Sequence, residues 1–199
     1  MHTTQESKDT MTARWPEDED DTSLMQKTAR GDHAAFQRLV TRHLPAAVRT
    51  AARILGATTE ADDVAQEAFI RVWKHAPTWA TPEQTGAQFT TWFYRIVLNL
   101  AIDHKRKRRD TVDADITTLP DHSDNAETGL ARREQSTRVQ AAITALPDRQ
   151  RAAFVLCFYE EHSNKDAAGM MGISVKALES LLVRARKTLH DTLGKERAE

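Results

Sequence analysis

Cysteine, glycine and proline are scarce in this sequence, and each scarcity excludes a class of structure. One cysteine among 199 residues, Cys157, cannot form a disulfide within the chain, which fits a reducing cytoplasm. The 7 glycines and 6 prolines are too few for a turn-rich β fold and favour helices. No run of apolar residues is long enough to cross a bilayer, and the N-terminal segment lacks the apolar core of a signal peptide. We therefore expect an all-α cytoplasmic protein that does not insert into membranes.

An excess of one charge sign is also missing. The chain has 28 Lys and Arg against 29 Asp and Glu, so a surface for a polyanion must come from segregated charge. The 8 histidines are scattered, and the sequence contains neither a Gly-rich phosphate loop nor a nucleophile elbow. We expect no metal, no cofactor and no enzymatic activity.

One stretch, residues 89–109, combines an apolar helix face with a cationic end. The apolar face has the spacing of a buried helix side and consists of Phe89, Trp92, Phe93, Ile96, Val97 and Leu100. A second face carries Arg95, Asn99, Ile102 and Arg106. The cations at 105–109 favour a polyanion, because each neutralised phosphate releases a condensed counterion. The alternative is an ordinary core helix with a solvated basic end.

Composition divides the chain into helical units and acidic connections. The predicted segments are an acidic disordered tail at 1–21, a helical unit at 22–109, a flexible acidic linker at 110–129, a second helical unit at 130–192 and a tail at 193–199. Helix-capping residue types predict the starts of the first three helices. The expected caps are Thr22 or Ser23, then Asp32, then Thr58 and Thr59.

The third predicted helix, residues 60–75, has a mixed outer face. That face consists of Asp63, Gln66, Glu67, Ile70 and Lys74. An isoleucine among acids is either an unremarkable exposed residue or part of a docking surface for a basic partner. The loop at 77–86 holds Trp79, which either packs back on the core or offers a platform for an unpaired base.

The second unit contains the pattern of a helix-turn-helix. Ser163 begins a short helix, Gly172 forms the turn, and Ser174 caps a longer helix that starts at Val175. The outward positions of that longer helix are Lys176, Ala177, Glu179, Ser180, Val183, Arg184 and Lys187. This helix is the candidate reader of a DNA groove, although many paired helices show a similar pattern.

Four strings in these two units resemble the bacterial sigma-70 superfamily, specifically its extracytoplasmic-function (ECF) group. They are ADDVAQEAFIRVW at 61–73, TWFYRIVLNLAID at 91–103, ALPDRQRAAFVL at 145–156 and GISVKALESLLVRARKTL at 172–189. The first unit is similar to the family's region 2 and the second to its region 4. No region 3 lies between them, as in this group.

The resemblance implies a sigma factor that binds core RNA polymerase and directs promoter recognition and melting at −35 and −10 elements. The implied contacts with the β′ clamp are Asp63, Gln66, Glu67 and Ile70. The implied −10 contacts are Trp79, Arg95, Asn99, Lys105 and Arg106. The implied −35 contacts are Lys176, Ala177, Ser180, Arg184 and Lys187. The family also implies contact with the β flap and an anti-sigma partner.

The sequence departs from the family's pattern at two places. The loop before Phe89 is about three residues longer than is common, which bears on the capture of a −10 base. Glu179 and Leu181 stand where basic residues are frequent, so Leu181 is a candidate for packing on a partner. Two other functions are open: a helix-turn-helix regulator that acts without polymerase, and a helical enzyme or RNA-binding protein.

Overall fold

The computed structural model describes residues 19–56, 59–79, 88–111 and 129–195. Within these ranges the chain is helical and contains no strand, which confirms the all-α prediction. The helices are α1 (Asp21–Ala29), α2 (His33–Leu55), α3 (Ala61–His75), α4 (Phe89–Thr111), α5 (Gly129–Ala145), α6 (Asp148–Phe154), α7 (Asn164–Met171) and α8 (Val175–Lys195). A short 3₁₀ turn follows α3 at Ala76–Thr78, and α6 widens into a π-helical turn at Val155–Tyr159.

The first helix begins earlier than predicted. Asp20, rather than Thr22 or Ser23, is its N-cap, because the Asp20 carboxylate accepts a hydrogen bond from the Ser23 backbone N–H at 2.9 Å. Glu19 and Asp21, assigned to a disordered tail at 1–21, are therefore part of the folded unit. Residues 1–18 of that predicted tail lie outside the described residues.

The second helix has the predicted ends, whereas the third does not start as predicted. The Asp32 carboxylate accepts from the backbone N–H groups of Ala34 and Ala35, and Gly56 ends α2 in the left-handed conformation at φ 74°. Helix α3 starts after Glu60, which makes no side-chain capping bond, so Thr59 is not its cap. The other predicted cap, Thr58, lies outside the described residues.

Helix α4 is the central element of the first unit. Its apolar face packs on α2 and α3, and Phe89, Phe93 and Val97 are buried. The Phe93 ring lies 4.8 Å from the Phe69 ring of α3, so aromatic packing fixes how α4 sits on its neighbours. The helix continues to Thr111, past the predicted end of the first unit at 109. The rest of the predicted linker, 112–128, lies outside the described residues.

The second unit contains the predicted helix-turn-helix. The Ser163 hydroxyl accepts from the Asp166 backbone N–H at the start of α7, and Gly172 ends α7 at φ 63°. The Ser174 hydroxyl accepts from the Ala177 backbone N–H at the start of α8. Helix α7 also lies against α4, so the second unit packs on the first.

Candidate nucleic-acid interface

Helix α3 presents the predicted acidic and apolar face to solvent. Val64, Ala68 and Val72 on the opposite side are fully buried, which turns the outer face away from the core. Asp63 and Gln66 are exposed, and Ile70 remains 40% exposed. Glu67 accepts a hydrogen bond from Arg71 one turn later at 2.9 Å, a surface pair that contributes little stability. We call Asp63, Gln66, Glu67 and Ile70 the α3 face.

The predicted polar side of α4 is mostly open to solvent. Arg95, Asn99 and Arg106 are exposed, whereas Ile102 is half-buried and packs against the core. The exposed residues follow one another at steps of four and seven along the helix, so their side chains share one side. We call Arg95, Asn99 and Arg106 the α4 stripe. Its donors and amide group are suited to bases and phosphates.

Lys105, also a predicted −10 contact, is not on this open side. It is only 6% exposed, and its ammonium forms an ion pair with Asp148 at 3.0 Å. Burial lowers the pKa of Lys105 to about 8, and Asp148 partly offsets this effect. A signal was present in the sequence, because Lys105 follows the buried Val97 and Ala101 at four-residue steps.

Trp79 packs at the N-terminal end of α4. Its ring is half-buried and lies 6.4 Å from the rings of both Phe89 and Trp92. It therefore packs back on the core while keeping part of its surface open. The neighbouring positions 80–87, which include most of the lengthened loop, lie outside the described residues.

Helix α8 turns its predicted reading side outward. Leu178, Leu182 and Ala185 are buried against the second unit. The residues expected to face DNA are all exposed: Lys176, Ala177, Ser180, Arg184 and Lys187. Glu179 is exposed among them, and Val183 is 63% exposed. Leu181 is half-buried and packs against the chain's own core, which accounts for the apolar residue at that position.

Sequence reasoning missed the contacts between the two units. Asp148 binds Lys105, Glu160 binds Arg53 at 2.7 Å, and the Arg151 guanidinium donates to the Ile54 carbonyl at 2.7 Å. These partners lie far apart in the chain, and neither periodicity nor a motif pairs them. In the described parts of the chain, no group of three His, Cys, Asp or Glu is placed to hold a metal ion. No helix in the same parts combines the length and hydropathy needed to span a bilayer.

Two family models match the chain in the order of its helical units. The model "Sigma-70 region 2" matches residues 39–111, and the model "Sigma-70, region 4" matches residues 136–189. The first match contains the α3 face and the α4 stripe. The second contains the helix-turn-helix and the outward residues of α8.

Curated relatives align with this chain along most of their length. The chain is 32% identical to the ECF RNA polymerase sigma factor SigE of Mycolicibacterium smegmatis, over 93% of this chain and 73% of that protein. It is 31% identical to the RNA polymerase sigma-H factor of Pseudomonas aeruginosa, over 88% and 94%. It is 33% identical to the RNA polymerase sigma factor CnrH of Cupriavidus metallidurans, over 87% and 94%.

Solved structures share the fold. CnrH, solved in complex with the cytosolic domain of CnrY, aligns with a TM-score of 0.65 and 31% identity, over 88% of this chain and 97% of that one. The sigma factor RpoE of Bartonella quintana, solved with the anti-sigma factor NepR, aligns with a TM-score of 0.61 and 22% identity, over 80% and 96%. The chain belongs to the ECF group of the sigma-70 family of RNA polymerase sigma factors.

Proposed function

We propose that this chain is a promoter-specificity subunit that binds core RNA polymerase and directs it to −35 and −10 elements. The observation that carries the proposal is that one chain presents the α3 face, the α4 stripe and the open side of α8 on elements matched by sigma regions 2 and 4. Its contribution is binding, and it supplies no catalytic group. Because its partners are polymerase and chromosomal DNA, it acts in the cytoplasm.

The α3 face is the proposed contact with the β′ clamp of polymerase. Asp63 and Glu67 supply negative charge, and Ile70 supplies apolar area on the same face. A basic partner surface with an apolar pocket complements this combination, and charge complementarity speeds association. The second unit would contact the β flap, and the linker proposed at 110–129 would run between them.

The α4 stripe is the proposed reader of the −10 element. Asn99 offers a donor and an acceptor to a base edge, while Arg95 and Arg106 supply positive charge for the backbone. Melting follows if this surface captures a nucleotide base that has left the stack. Trp79, at the N-terminal end of α4, directly precedes the lengthened loop. The capture offsets an unstacking cost of about a few kcal/mol.

Helix α8 is the proposed reader of the −35 element in the major groove. Lys176, Arg184 and Lys187 are available to phosphates and guanine edges, and Ser180 lies between them on the same side. Glu179 accepts hydrogen bonds from cytosine N4 and repels phosphate, so it gives this chain its own −35 preference.

Core polymerase makes two weak contacts act as one. Each unit alone binds only one short element, and a fixed separation turns the second contact into an intramolecular event. The direct test is run-off transcription with purified bacterial core polymerase, this chain and a fragmented genomic library from its host. Transcripts that require both components support the proposal. Discrete duplex sites bound without core, and no transcripts, would favour the helix-turn-helix regulator instead.

We also propose an anti-sigma partner. CnrH, which shares 31% identity with this chain over 88% of its length, was solved with the cytosolic domain of CnrY. The α3 face and the open side of α8 need a cover when the factor is inactive, because exposed apolar and charged surfaces bind other partners. Affinity capture of the chain from its native host tests this. Recovery of polymerase subunits alone, with and without inducing conditions, would contradict it.

A further inference from the structure

Val183 on α8 is the most exposed of the large apolar residues in the described ranges. It is 63% exposed, against 44% for Phe158 and 40% for Ile70. Leu181, two positions earlier, packs against the core, whereas most of the Val183 surface is open to solvent. Burial within this chain therefore does not account for a branched apolar side chain at position 183.

Val183 lies among the residues proposed to read the −35 element. The inner side of α8 consists of buried residues, namely Leu178, Leu182 and Ala185. Successive residues of a helix are about 100° apart, so Val183 is turned by about 100° or more from each of them. It follows Ser180 by three residues and precedes Lys187 by four, and these steps make side chains neighbours on a helix surface. Val183 is thus an apolar group within a polar, DNA-facing surface.

The floor of the major groove offers an apolar side chain one kind of apolar partner. Base edges present hydrogen-bond donors and acceptors there, and thymine alone adds a methyl group, at C5. Opposite cytosine or guanine, a valine would cover the N4 donor or the O6 and N7 acceptors without bonding them, which is unfavourable. A valine on the reading side of α8 therefore favours thymine and disfavours a G·C pair.

The Val183 side chain is ordered before DNA binds. A β-branched residue in a helix has one strongly preferred χ1 rotamer, so Val183 loses little side-chain entropy in a contact. The buried Leu178 and Leu182 fix the orientation of the helix that carries it. Lys176 and Lys187, by contrast, have long side chains that adapt to phosphates, which carry no sequence information. Val183 is consequently better suited to selecting a base than to adding general affinity.

We propose that Val183 is a specificity-determining residue, which contacts the C5 methyl group of a thymine in the −35 element. Glu179, also exposed and one turn earlier, is suited to a cytosine amino group. One helical turn advances about 5.4 Å and one base pair about 3.4 Å, so the thymine and the cytosine should lie within about two base pairs of each other. This inference rests on the proposed −35 role of α8 and deepens it by naming the base.

Deoxyuridine tests the methyl contact by itself, because it pairs as thymidine does and lacks only the C5 methyl group. The template is a promoter obtained from the transcription assay with host genomic fragments. Each thymine of its upstream block, on either strand, is replaced in turn. The affinity of core polymerase carrying the full-length chain is measured by competition with a labelled promoter. At one thymine the replacement should weaken binding about fourfold, the effect of removing one methyl-sized group from an apolar contact.

Val183→Ala identifies the residue that makes the contact. This variant should bind the thymine promoter about as weakly as the wild type binds the deoxyuridine promoter, and deoxyuridine should cause no further loss. Val175→Ala is the matched control, because it removes the same atoms from another exposed valine of α8. It should keep the fourfold difference between the two templates. Circular dichroism and core affinity should be the same for both variants and the wild type.

Two results of these assays would overturn the inference directly. One is an insensitivity of the wild type to every deoxyuridine in the upstream block, or an equal deoxyuridine effect in Val183→Ala and the wild type. The other is weaker binding of Val183→Ala to core polymerase, which would place Val183 in a protein contact. Either result leaves the proposed function standing as long as the wild type and core start promoter-specific transcripts. If they start none, the proposed function fails and the inference fails with it.

Discussion

Asn99 is the residue on which the proposed −10 reading depends most. It lies exposed on α4, one turn from Arg95 and two turns from Arg106. Asn99→Ala should reduce promoter opening by about fivefold or more, because one good side-chain contact with a base contributes about 1–3 kcal/mol. Fluorescence of a −10 base analogue in the polymerase complex measures opening.

A control for the Asn99 experiment distinguishes a defect in reading the −10 element from a defect in binding core polymerase. Core affinity of Asn99→Ala, measured by anisotropy of a labelled chain, should equal that of the wild type. Gln37→Ala removes another exposed helical amide, on α2, and should change neither quantity. Loss of core binding in Asn99→Ala would place Asn99 on the polymerase side and contradict the assignment of the α4 stripe.

Glu67 tests the α3 face by charge reversal. Glu67→Lys should weaken core binding roughly tenfold, about 1.4 kcal/mol, because it sets a cation against the basic partner surface. Folding should change little, since the pair that Glu67 makes with Arg71 is exposed. Asp103→Lys makes the same reversal on α4 and should leave core affinity unchanged. Equal affinity for Glu67→Lys and the wild type would remove Glu67 from the interface.

Lys105 shows where reasoning from the sequence ends at this scale. Because it belongs to a run of five cations, Lys105 was predicted to be exposed to DNA, whereas the structure buries it. Its position four residues after Ala101 predicts burial, and the carboxylate of Asp148, from the other unit, makes that burial tolerable. A linear pattern identifies which side of a helix is apolar and does not identify a partner 43 positions away.

At the scale of elements, the turn of the helix-turn-helix makes a prediction about glycine. Gly172 has φ 63°, a conformation that costs other residues about 1–2 kcal/mol. Gly172→Ala should lower the free energy of unfolding in urea by about that amount. Gly194 lies inside α8 with open space around it, so Gly194→Ala should raise that free energy by about 1 kcal/mol or less. Equal effects of the two substitutions would contradict the assigned turn.

Helix α1 is attached to α2 by carboxylates that give stability a dependence on pH. Glu19 is paired with Lys27 and Arg38, each at 2.6 Å. Hydrogen bonds from Lys27 first, then Ser23 and Arg38, lower the pKa of Glu19 to about 2 from 4.5. The ionised form is thus favoured by folding, and its contribution is complete above pH 4.5 and lost as the pH falls towards 2.

The substitution Glu19→Gln tests this linkage. In the wild type, the free energy of unfolding should fall between pH 4.5 and 2 partly through Glu19. Glu19→Gln should be less stable than the wild type at neutral pH, and the free energies of unfolding of the two chains should converge as the pH is lowered towards 2. Urea unfolding at several pH values measures both curves. Parallel curves with a constant offset would show that Glu19 does not titrate with folding.

The start of a helix was predictable where the sequence offered a single short polar residue as its cap. Asp32, Ser163 and Ser174 all accept backbone N–H bonds as their residue types predicted. The start of α1 was misplaced, because Asp20, Thr22 and Ser23 are all good caps and the choice depends on contacts of Glu19 and Asp21 with α2. The extension of α4 to Thr111 was hidden by the acidic composition that begins at Asp110.

At the scale of the whole molecule, the family and the two-unit architecture were readable from sequence because motifs are local strings. The relation between the units was not, because Arg53–Glu160 and Arg151–Ile54 join residues 107 and 97 positions apart. The sequence therefore predicted two separate DNA surfaces, and the structure adds that one of them is partly covered by the other unit.

In the proposed function, polymerase turns these two surfaces into one promoter reader. The most direct measurement is start-site mapping in transcription reactions that contain core polymerase, this chain and host genomic fragments. Upstream of the mapped starts there should be two sequence blocks at a fixed spacing, and Arg184→Ala should alter the preference at the upstream block while leaving the downstream block unchanged. Starts no different from those of core polymerase alone, or a single block bound equally well without polymerase, would contradict the account.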